Sequence, residues 1–183
     1  VMAERCVQGR AVMVDLHAHL GHTGEAVGYD SAVLFPVTVT PDKAQDLELK
    51  LDLFFGVCKD ICIPARAEAA IMLGTEQRDP LGSARVEAAR ATVPAAGDAV
   101  TAADIVSGEG KPVLRLALKE RPEEIFVESA TSAHFRAPVI SADGREARLQ
   151  IDSLSDLSKL KGEPITITYR LGGKGHVQTL TLP

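Results

Sequence analysis

Leu47 to Leu73 reads LELKLDLFFGVCKDICIPARAEAAIML, the most regular β-pattern in the chain. From Leu47 to Leu53, leucines alternate with charged residues, which is the period of a strand with one apolar face. From Ile63 to Leu73, smaller apolar residues alternate in a similar way. We therefore predict two strands joined near the cysteines, with the leucine face in a core and the charged face in solvent.

Cys58 and Cys62 are separated by three residues. In one continuous strand their Cα atoms would lie about 13 Å apart, whereas a disulfide needs roughly 4.4–6.8 Å. A hairpin loop of residues 59–61 instead places the two cysteines opposite each other, at a separation that allows a bond. The spacing therefore predicts a hairpin.

Residue parity indicates the direction in which the two sulfurs point. Cys58 shares the register of the charged residues of the first strand, and Cys62 shares that of Arg66, so both sulfurs are expected on the solvent side. A bulge at Gly56 would reverse this orientation. An accessible, closely spaced pair suits thiol–disulfide exchange, because an incoming thiolate must reach one sulfur in line.

Three chemical interpretations of the pair stay open at this point. Exchange is favoured by Phe54, which has the parity of Cys58 and can shelter it, and by Lys59, whose charge favours a thiolate. A purely stabilising bridge is common in secreted domains, although one across so short a loop contributes about 2 kcal/mol or less. Thiolates also bind Cu(I), but two cysteines alone form an incomplete zinc site.

The remaining chain shows strand patterns on both sides of a connector. Val33 to Thr40 is rich in β-branched residues and predicts strands. Residues 78–110 are rich in Ala, Gly and Pro, and Ser83 to Thr92 has helix-forming composition with Ser83 as its cap. Further strands are predicted between polar turns at Val113–Lys119, Ile125–Ser129, Ala137–Ser141, Ala147–Ile151, Ile165–Leu171 and Val177–Leu182.

These patterns predict an all-β protein with two β-sandwiches in tandem and a short helical connector. The first sandwich, residues 1–77, carries the cysteine pair. Residues 78–110 form the connector, and residues 111–183 form a second small sandwich that serves as a docking or spacing module.

Composition argues against several classes of function. Apolar residues make up 45% and charged residues 25%, as in a folded protein. The net charge of −5 and the absence of a long Lys/Arg cluster argue against a nucleic-acid or anionic-membrane surface. There is no apolar run of roughly 18 residues, and the chain opens at Val1 without a signal-like stretch, so we expect a mature or trimmed soluble form.

A second motif near the N-terminus has metal-binding chemistry. Asp15, His17 and His19 alternate, so on a strand they project to one face, and this donor set suits zinc or copper. The stretch resembles the Asp-x-His-x-His motif of metal-dependent amidohydrolases, but those need a barrel of about 250 residues. The alternative is an ordinary solvent-exposed strand face.

Cys6 is interpreted as a spare thiol.

Three segments resemble one known family. They are Gly28-Tyr29, Val33 to Pro41, and Val57 to Pro64, which reads VCKDICIP. Together with the leucine strand they resemble the N-terminal periplasmic domain of the thiol:disulfide interchange protein DsbD, and especially the related ScsB-type domains. The resemblance covers roughly Gly24 to Leu73, and the C-terminal strands resemble the second sandwich of the same proteins more weakly.

The resemblance implies an immunoglobulin-like fold, a periplasmic location, and Cys58 and Cys62 as redox cysteines. In this family the pair receives electrons from a membrane-embedded domain and delivers them to periplasmic thioredoxin-like or disulfide isomerase proteins, with no organic cofactor. Cys62 is favoured as the sulfur that attacks or is attacked. Candidate shielding residues are Tyr29, Phe54 and Phe55.

The chain also departs from the family pattern. Three residues separate its cysteines, as in the ScsB-like branch, whereas the best-known DsbD domains have five. The protein has no Trp, so a Trp-containing segment expected upstream is missing. Some relatives are linked with copper tolerance, which keeps a metal-binding module with a structural disulfide as the alternative function.

Overall fold

Within the residues that it describes, the computed structural model is mostly β-sheet with one α-helix. It describes residues 17–21, 24–29, 33–39, 46–58, 61–74, 79–107, 110–152 and 156–183. No helix within these ranges has the length and apolar character needed to cross a membrane.

The described residues of the N-terminal part form two antiparallel hairpins. Strands β1 (His17–Gly21) and β2 (Gly24–Gly28) form the first. Strands β3 (Leu47–Cys58) and β4 (Cys62–Leu73) form the second, which we call the cysteine ribbon. The two strands predicted from alternation are thus confirmed.

Most of the leucine face of the cysteine ribbon is exposed, although Leu47 and Leu49 at its far end are half-buried, which corrects the prediction that this face lies in a core. Leu51 is 55% exposed and Ile71 is 59% exposed. Period-two alternation determines which residues share a face. Whether that face is covered depends on a second layer, and the described residues place none over this part of the ribbon.

Helix α1 (Pro80–Thr92) confirms the predicted helix but begins earlier than expected. Its N-cap is Asp79, whose side chain accepts a hydrogen bond from the Gly82 N–H at 3.0 Å. Ser83 is therefore not the cap. An aspartate followed by proline at the first helical position is a strong start signal, because proline has no N–H to leave unpaired.

The segment 33–39 is not a strand, so the prediction of strands in this region is wrong for the described residues. Pro36 lacks the N–H that an interior strand position must donate. The segment instead lies against helix α1, where Arg90 donates a hydrogen bond to the Thr38 hydroxyl at 3.3 Å. Leu34 lines a small cavity together with residues of the helix.

The C-terminal part is a β-sandwich of two sheets. One sheet has the order β10-β11-β7-β6, with β9 also pairing with β11, and the other has the order β5-β13-β12-β8. A 3₁₀-helix spans Leu157–Leu160. The strands are β5 (Ala95–Ala96), β6 (Val100–Val106), β7 (Val113–Leu118), β8 (Glu124–Ser129), β9 (His134–Phe135), β10 (Val139–Ile140), β11 (Glu146–Asp152), β12 (Pro164–Leu171) and β13 (Lys174–Thr181).

Two details of this sandwich differ from the sequence pattern. Strands β5 and β6 lie within residues 78–110, where the composition predicted a connector. The pairing of β6 shifts register between Val100 and Ala102, which interrupts the alternation that identifies a strand. The segment Ala137–Ser141 contributes only the two-residue strand β10.

The sandwich core is formed by alternate residues of both sheets. The largest fully buried side chains are aliphatic: Leu114, Leu116, Ile125, Leu149, Leu160, Ile165, Ile167 and Leu182. The two sheets are also joined by polar contacts, since the Gln178 side chain bonds both the N–H and the carbonyl of Val100. The Tyr169 hydroxyl accepts from the Ala99 N–H at 3.0 Å, and a Cβ at Gly97 would overlap this hydroxyl.

A cluster of polar side chains surrounds Asp152 at the end of β11. Its carboxylate, only 11% exposed, accepts hydrogen bonds from Lys111, Arg136 and Gln150. The bond from Lys111, followed by that from Arg136, holds the pKa of Asp152 well below its usual value. The ionised carboxylate is therefore favoured in the folded state.

We expect Asp152→Asn to lower the melting temperature at pH 7. Because the folded-state pKa is depressed, the stabilisation is complete above the unfolded-state pKa of about 3.9 and is lost as the pH falls towards the folded value. The difference in melting temperature between wild type and variant should therefore be constant from pH 7 to about 5 and shrink below about 4. Thermal unfolding at several pH values measures it, with the exposed Glu120→Gln as control. A difference that grows on acidification would contradict the assignment.

Candidate functional site

The two cysteines close the end of the cysteine ribbon. Cys58 and Cys62 are directly paired across the strands, with their Cα atoms 4.0 Å apart and their sulfurs joined in a bond of 2.09 Å. Both residues are exposed. The predicted hairpin is confirmed, although Lys59 and Asp60 of its loop lie outside the described residues.

The pairing along the ribbon is continuous and places the disulfide on the charged face. Cys58 and Cys62 share this face with Asp52 and Arg66, as parity predicted. Gly56 pairs directly with Pro64, so the bulge that would have reversed the orientation does not form. The disulfide is therefore open to a nucleophile in solution.

In the neighbouring pair on this face, Gly56 has no side chain and faces Pro64 across the strands. Gly56 lies one step inward from Cys58 on the same face, and a Cβ built there would be 3.7 Å from the Cys58 sulfur and 3.9 Å from Cys62 Cβ. Phe54, paired with Arg66, comes next and is 75% exposed. The approach to the disulfide is thus bordered by an exposed aromatic ring.

Beyond Phe54, the same face carries Asp52, Arg66 and Glu68, and Arg66 contacts both acidic side chains. Asp52 and Glu68 are directly paired across the strands, an arrangement that places like charges opposite each other. Arg66 compensates by a two-fold contact with Asp52, and its Nε lies 3.9 Å from the Glu68 carboxylate. The hydrogen bond from Arg66 lowers the pKa of Asp52 below its usual value.

The candidate shielding residues occupy different places. Phe54 shares the face of the cysteines, whereas Phe55 pairs with Ala65 on the opposite face. Tyr29 packs edge-on against Phe35, with ring centroids 5.6 Å apart. Lys59 lies outside the described residues. Of the two phenylalanines in the ribbon, Phe54 is therefore the one that shares the disulfide face.

The histidine motif is only partly described. Asp15 lies outside the described residues, and His17 and His19 belong to β1, of which only the backbone is described. The described side chains contain no group of three or more His, Cys, Asp or Glu residues arranged to hold a metal ion. The metal hypothesis stays a prediction.

Sequence reasoning did not identify the Gly56–Pro64 pair or the Arg66–Asp52 ion pair as parts of this surface. Both follow once Cys58 is aligned with Cys62, because antiparallel pairing then sets every partner along the two strands. The signal was therefore present in the cysteine spacing.

Comparison with known proteins agrees with this geometry. Residues 16–73 match the family model for the N-terminal domain of the thiol:disulfide interchange protein DsbD. The fold is similar to the crystal structure of the N-terminal periplasmic domain of ScsB from Proteus mirabilis, with a TM-score of 0.72 and 17% sequence identity, over 98% of this chain and 74% of that chain. No curated protein sequence matches significantly.

The family match and the exposed Cys58–Cys62 disulfide support thiol–disulfide exchange in general. The similarity to ScsB is a similarity of fold, which agrees with an all-β, immunoglobulin-like architecture. The resemblance inferred from the sequence is thus confirmed: this chain is similar to the N-terminal domain of DsbD over residues 16–73, and to a ScsB N-terminal domain in overall fold.

Proposed function

We propose that this protein relays electrons in the periplasm through the Cys58–Cys62 pair. The pair would receive electrons from a membrane-embedded donor domain and pass them to periplasmic thioredoxin-like or disulfide isomerase proteins. The observation that carries the proposal is an exposed disulfide within the segment that matches the DsbD N-terminal family.

The exchange needs only the two cysteines and a partner thiol. A partner thiolate forms a bond to one sulfur of the pair, and the electron pair of the broken S–S bond leaves on the other sulfur as a thiolate. When a second thiolate of the partner attacks the mixed disulfide, the protein is released with both cysteines reduced. The reverse sequence oxidises the pair, so the same site can accept and donate electrons.

The cysteine ribbon has the properties that this exchange requires. Both cysteines are exposed, so a nucleophile can reach them without unfolding the protein. The bridge closes a loop of only three residues, which limits its value as a stabilising cross-link. An exposed bridge of small stabilising value is better suited to exchange than to structure.

The two parts of the chain are proposed to have separate roles. Residues 1–77 would carry the redox chemistry, and the C-terminal sandwich would serve as a docking or spacing module. The sheets of this sandwich include strands β5 and β6, so the proposed module would begin near Ala95 and not at residue 111. Among the described residues, the buried side chains of its core lie between Ala99 and Leu182.

We expect the Cys58–Cys62 pair to have a reduction potential above about −300 mV, the limit below which structural bridges typically lie. The folded protein would be equilibrated with glutathione or dithiothreitol redox buffers, alkylated, and analysed by mass spectrometry to determine the fraction reduced at each cysteine. The measurement should use Cys6→Ser, which removes the third thiol.

A bridge that stays oxidised in strongly reducing buffer, while the protein remains folded, would overturn the proposal. The pair would then be a structural disulfide. The alternative of a non-catalytic metal-tolerance module would become the leading one, with Asp15, His17 and His19 as the first residues to test.

A further inference from the structure

The strand position beside the disulfide carries no side chain, and backbone geometry does not explain why. Gly56 lies inside β3, pairs with Pro64, and is not among the glycines with positive φ. A glycine in the interior of a strand weakens it, and often marks a place where another chain approaches closely. Gly56 is therefore expected to destabilise the ribbon, although its backbone conformation does not require a glycine.

The space above Gly56 is bounded by the reactive group. Apart from Gly56 and its two chain neighbours, only Cys58 Sγ and Cys62 Cβ among the described atoms lie within 4 Å of a Cβ built at this position. On the other side, two residues back along the same face, Phe54 projects into solvent with 75% exposure. Gly56 therefore leaves a slot, open to solvent, between an aromatic ring and the disulfide.

The size of the attacking thiol determines whether this slot matters. A small thiol can approach a disulfide sulfur from many directions, whereas a cysteine of a folded protein brings its own backbone and must still align with the S–S bond. Cys58 Sγ is 3.7 Å from the built Cβ, so a larger side chain there would occupy room that an approaching chain needs.

We infer that Gly56 is a specificity-determining residue, which admits the cysteine-bearing segment of a partner protein to the disulfide. This inference rests on the proposed function. The partner segment lies over Gly56 and against Phe54 while its thiolate bonds to one sulfur of the pair. The electron pair of the S–S bond leaves on the other sulfur, so two-electron transfer begins with no further reactant.

The test compares a protein reductant with a small one. The rate of disulfide reduction would be measured for Gly56→Leu, Gly56→Ala and wild type, with reduced thioredoxin or dithiothreitol as electron donor. Alkylation and mass spectrometry determine the fraction reduced at each time. Because poor alignment of reacting groups can cost up to about 100-fold in rate, we expect Gly56→Leu to slow reduction by thioredoxin at least about tenfold. Reduction by dithiothreitol should change less than about threefold, since small thiols do not need the slot.

Ala70→Leu is the matched control, because it adds the same side chain to the same face of the ribbon far from the disulfide. It should leave both rates unchanged. Gly56→Ala should reduce the thioredoxin rate only slightly, because its methyl group makes ordinary van der Waals contacts. Should Gly56→Leu fail to fold, Gly56→Val takes its place and is expected to lie between the alanine and leucine variants.

Two results would overturn the inference. Equal rates of thioredoxin reduction for wild type and Gly56→Leu would show that the slot is not used. An equal fall with both reductants, or a matching change in the equilibrium with glutathione, would show that residue 56 alters the disulfide itself. Failure of the proposed function is distinguishable, since thioredoxin would then not reduce the wild-type protein at all.

Discussion

Cys58→Ser and Cys62→Ser are each expected to reduce thiol–disulfide exchange to the uncatalysed background. Exchange needs one sulfur to form the mixed disulfide and a second to resolve it, so neither cysteine can substitute for the other. Both are exposed and directly paired across the ribbon. The measurement is the rate at which the reduced protein reduces an oxidised thioredoxin-like partner.

The same variants identify the sulfur that partners attack. A protein with one cysteine of the pair cannot resolve a mixed disulfide, so the adduct accumulates and can be seen by non-reducing electrophoresis and mass spectrometry. We favour Cys62 as the attacked sulfur, as the family resemblance suggested from the sequence, and we therefore predict that Cys58→Ser traps the partner more efficiently than Cys62→Ser. Both variants are made in a Cys6→Ser background, which should itself keep full activity.

Two outcomes would contradict this mechanism. Full activity of either single-cysteine variant would show that the pair is not the redox centre. A Cys6→Ser protein without activity would indicate that the third thiol takes part in the exchange.

The second large effect is expected in the sandwich core. Ile167→Ala should lower the free energy of unfolding by about 2–5 kcal/mol, because it removes buried methyl groups and leaves a cavity. Ile167 is fully buried in β12, between strands β13 and β8. Urea unfolding followed by circular dichroism measures the change as a lower midpoint with an unchanged slope.

Ile71→Ala is the matched control, since it makes the same substitution on the exposed face of the cysteine ribbon. Substitutions at exposed positions usually change stability by no more than about 0.5 kcal/mol. A cost at Ile71 comparable to that at Ile167 would contradict the exposure of this face and indicate that another surface covers it in solution.

Local patterns were sufficient to predict most strands and the orientation of the disulfide. Side chains in a strand alternate between faces, so parity alone placed Cys58 and Cys62 on the face of Asp52 and Arg66. The sequence also indicated turns. Gly172 and Gly173, which separate β12 from β13, both have positive φ. Glycine adopts this geometry without steric cost.

Predictions failed where a pattern was interrupted or where a competing signal was stronger. Strand β6 lies in the stretch that was predicted as a connector from its Ala, Gly and Pro content, and its register shift near Val100 interrupts the alternation that would have identified a strand. Segment 33–39 has strand-like composition, but Pro36 cannot donate to a ladder. Ser83 was predicted as the helix cap, but the cap is Asp79, because aspartate precedes a proline at the first helical position.

The sequence by itself determined the β class, the shared face of the two cysteines and their capacity to pair, because these properties depend on spacing within a few residues. Only the tertiary structure decided what lies beside and above them. The leucine face is exposed, and Gln178 joins Val100 across 78 positions of the chain. Burial and long-range contacts depend on which elements pack together, and no period in a single strand encodes that choice.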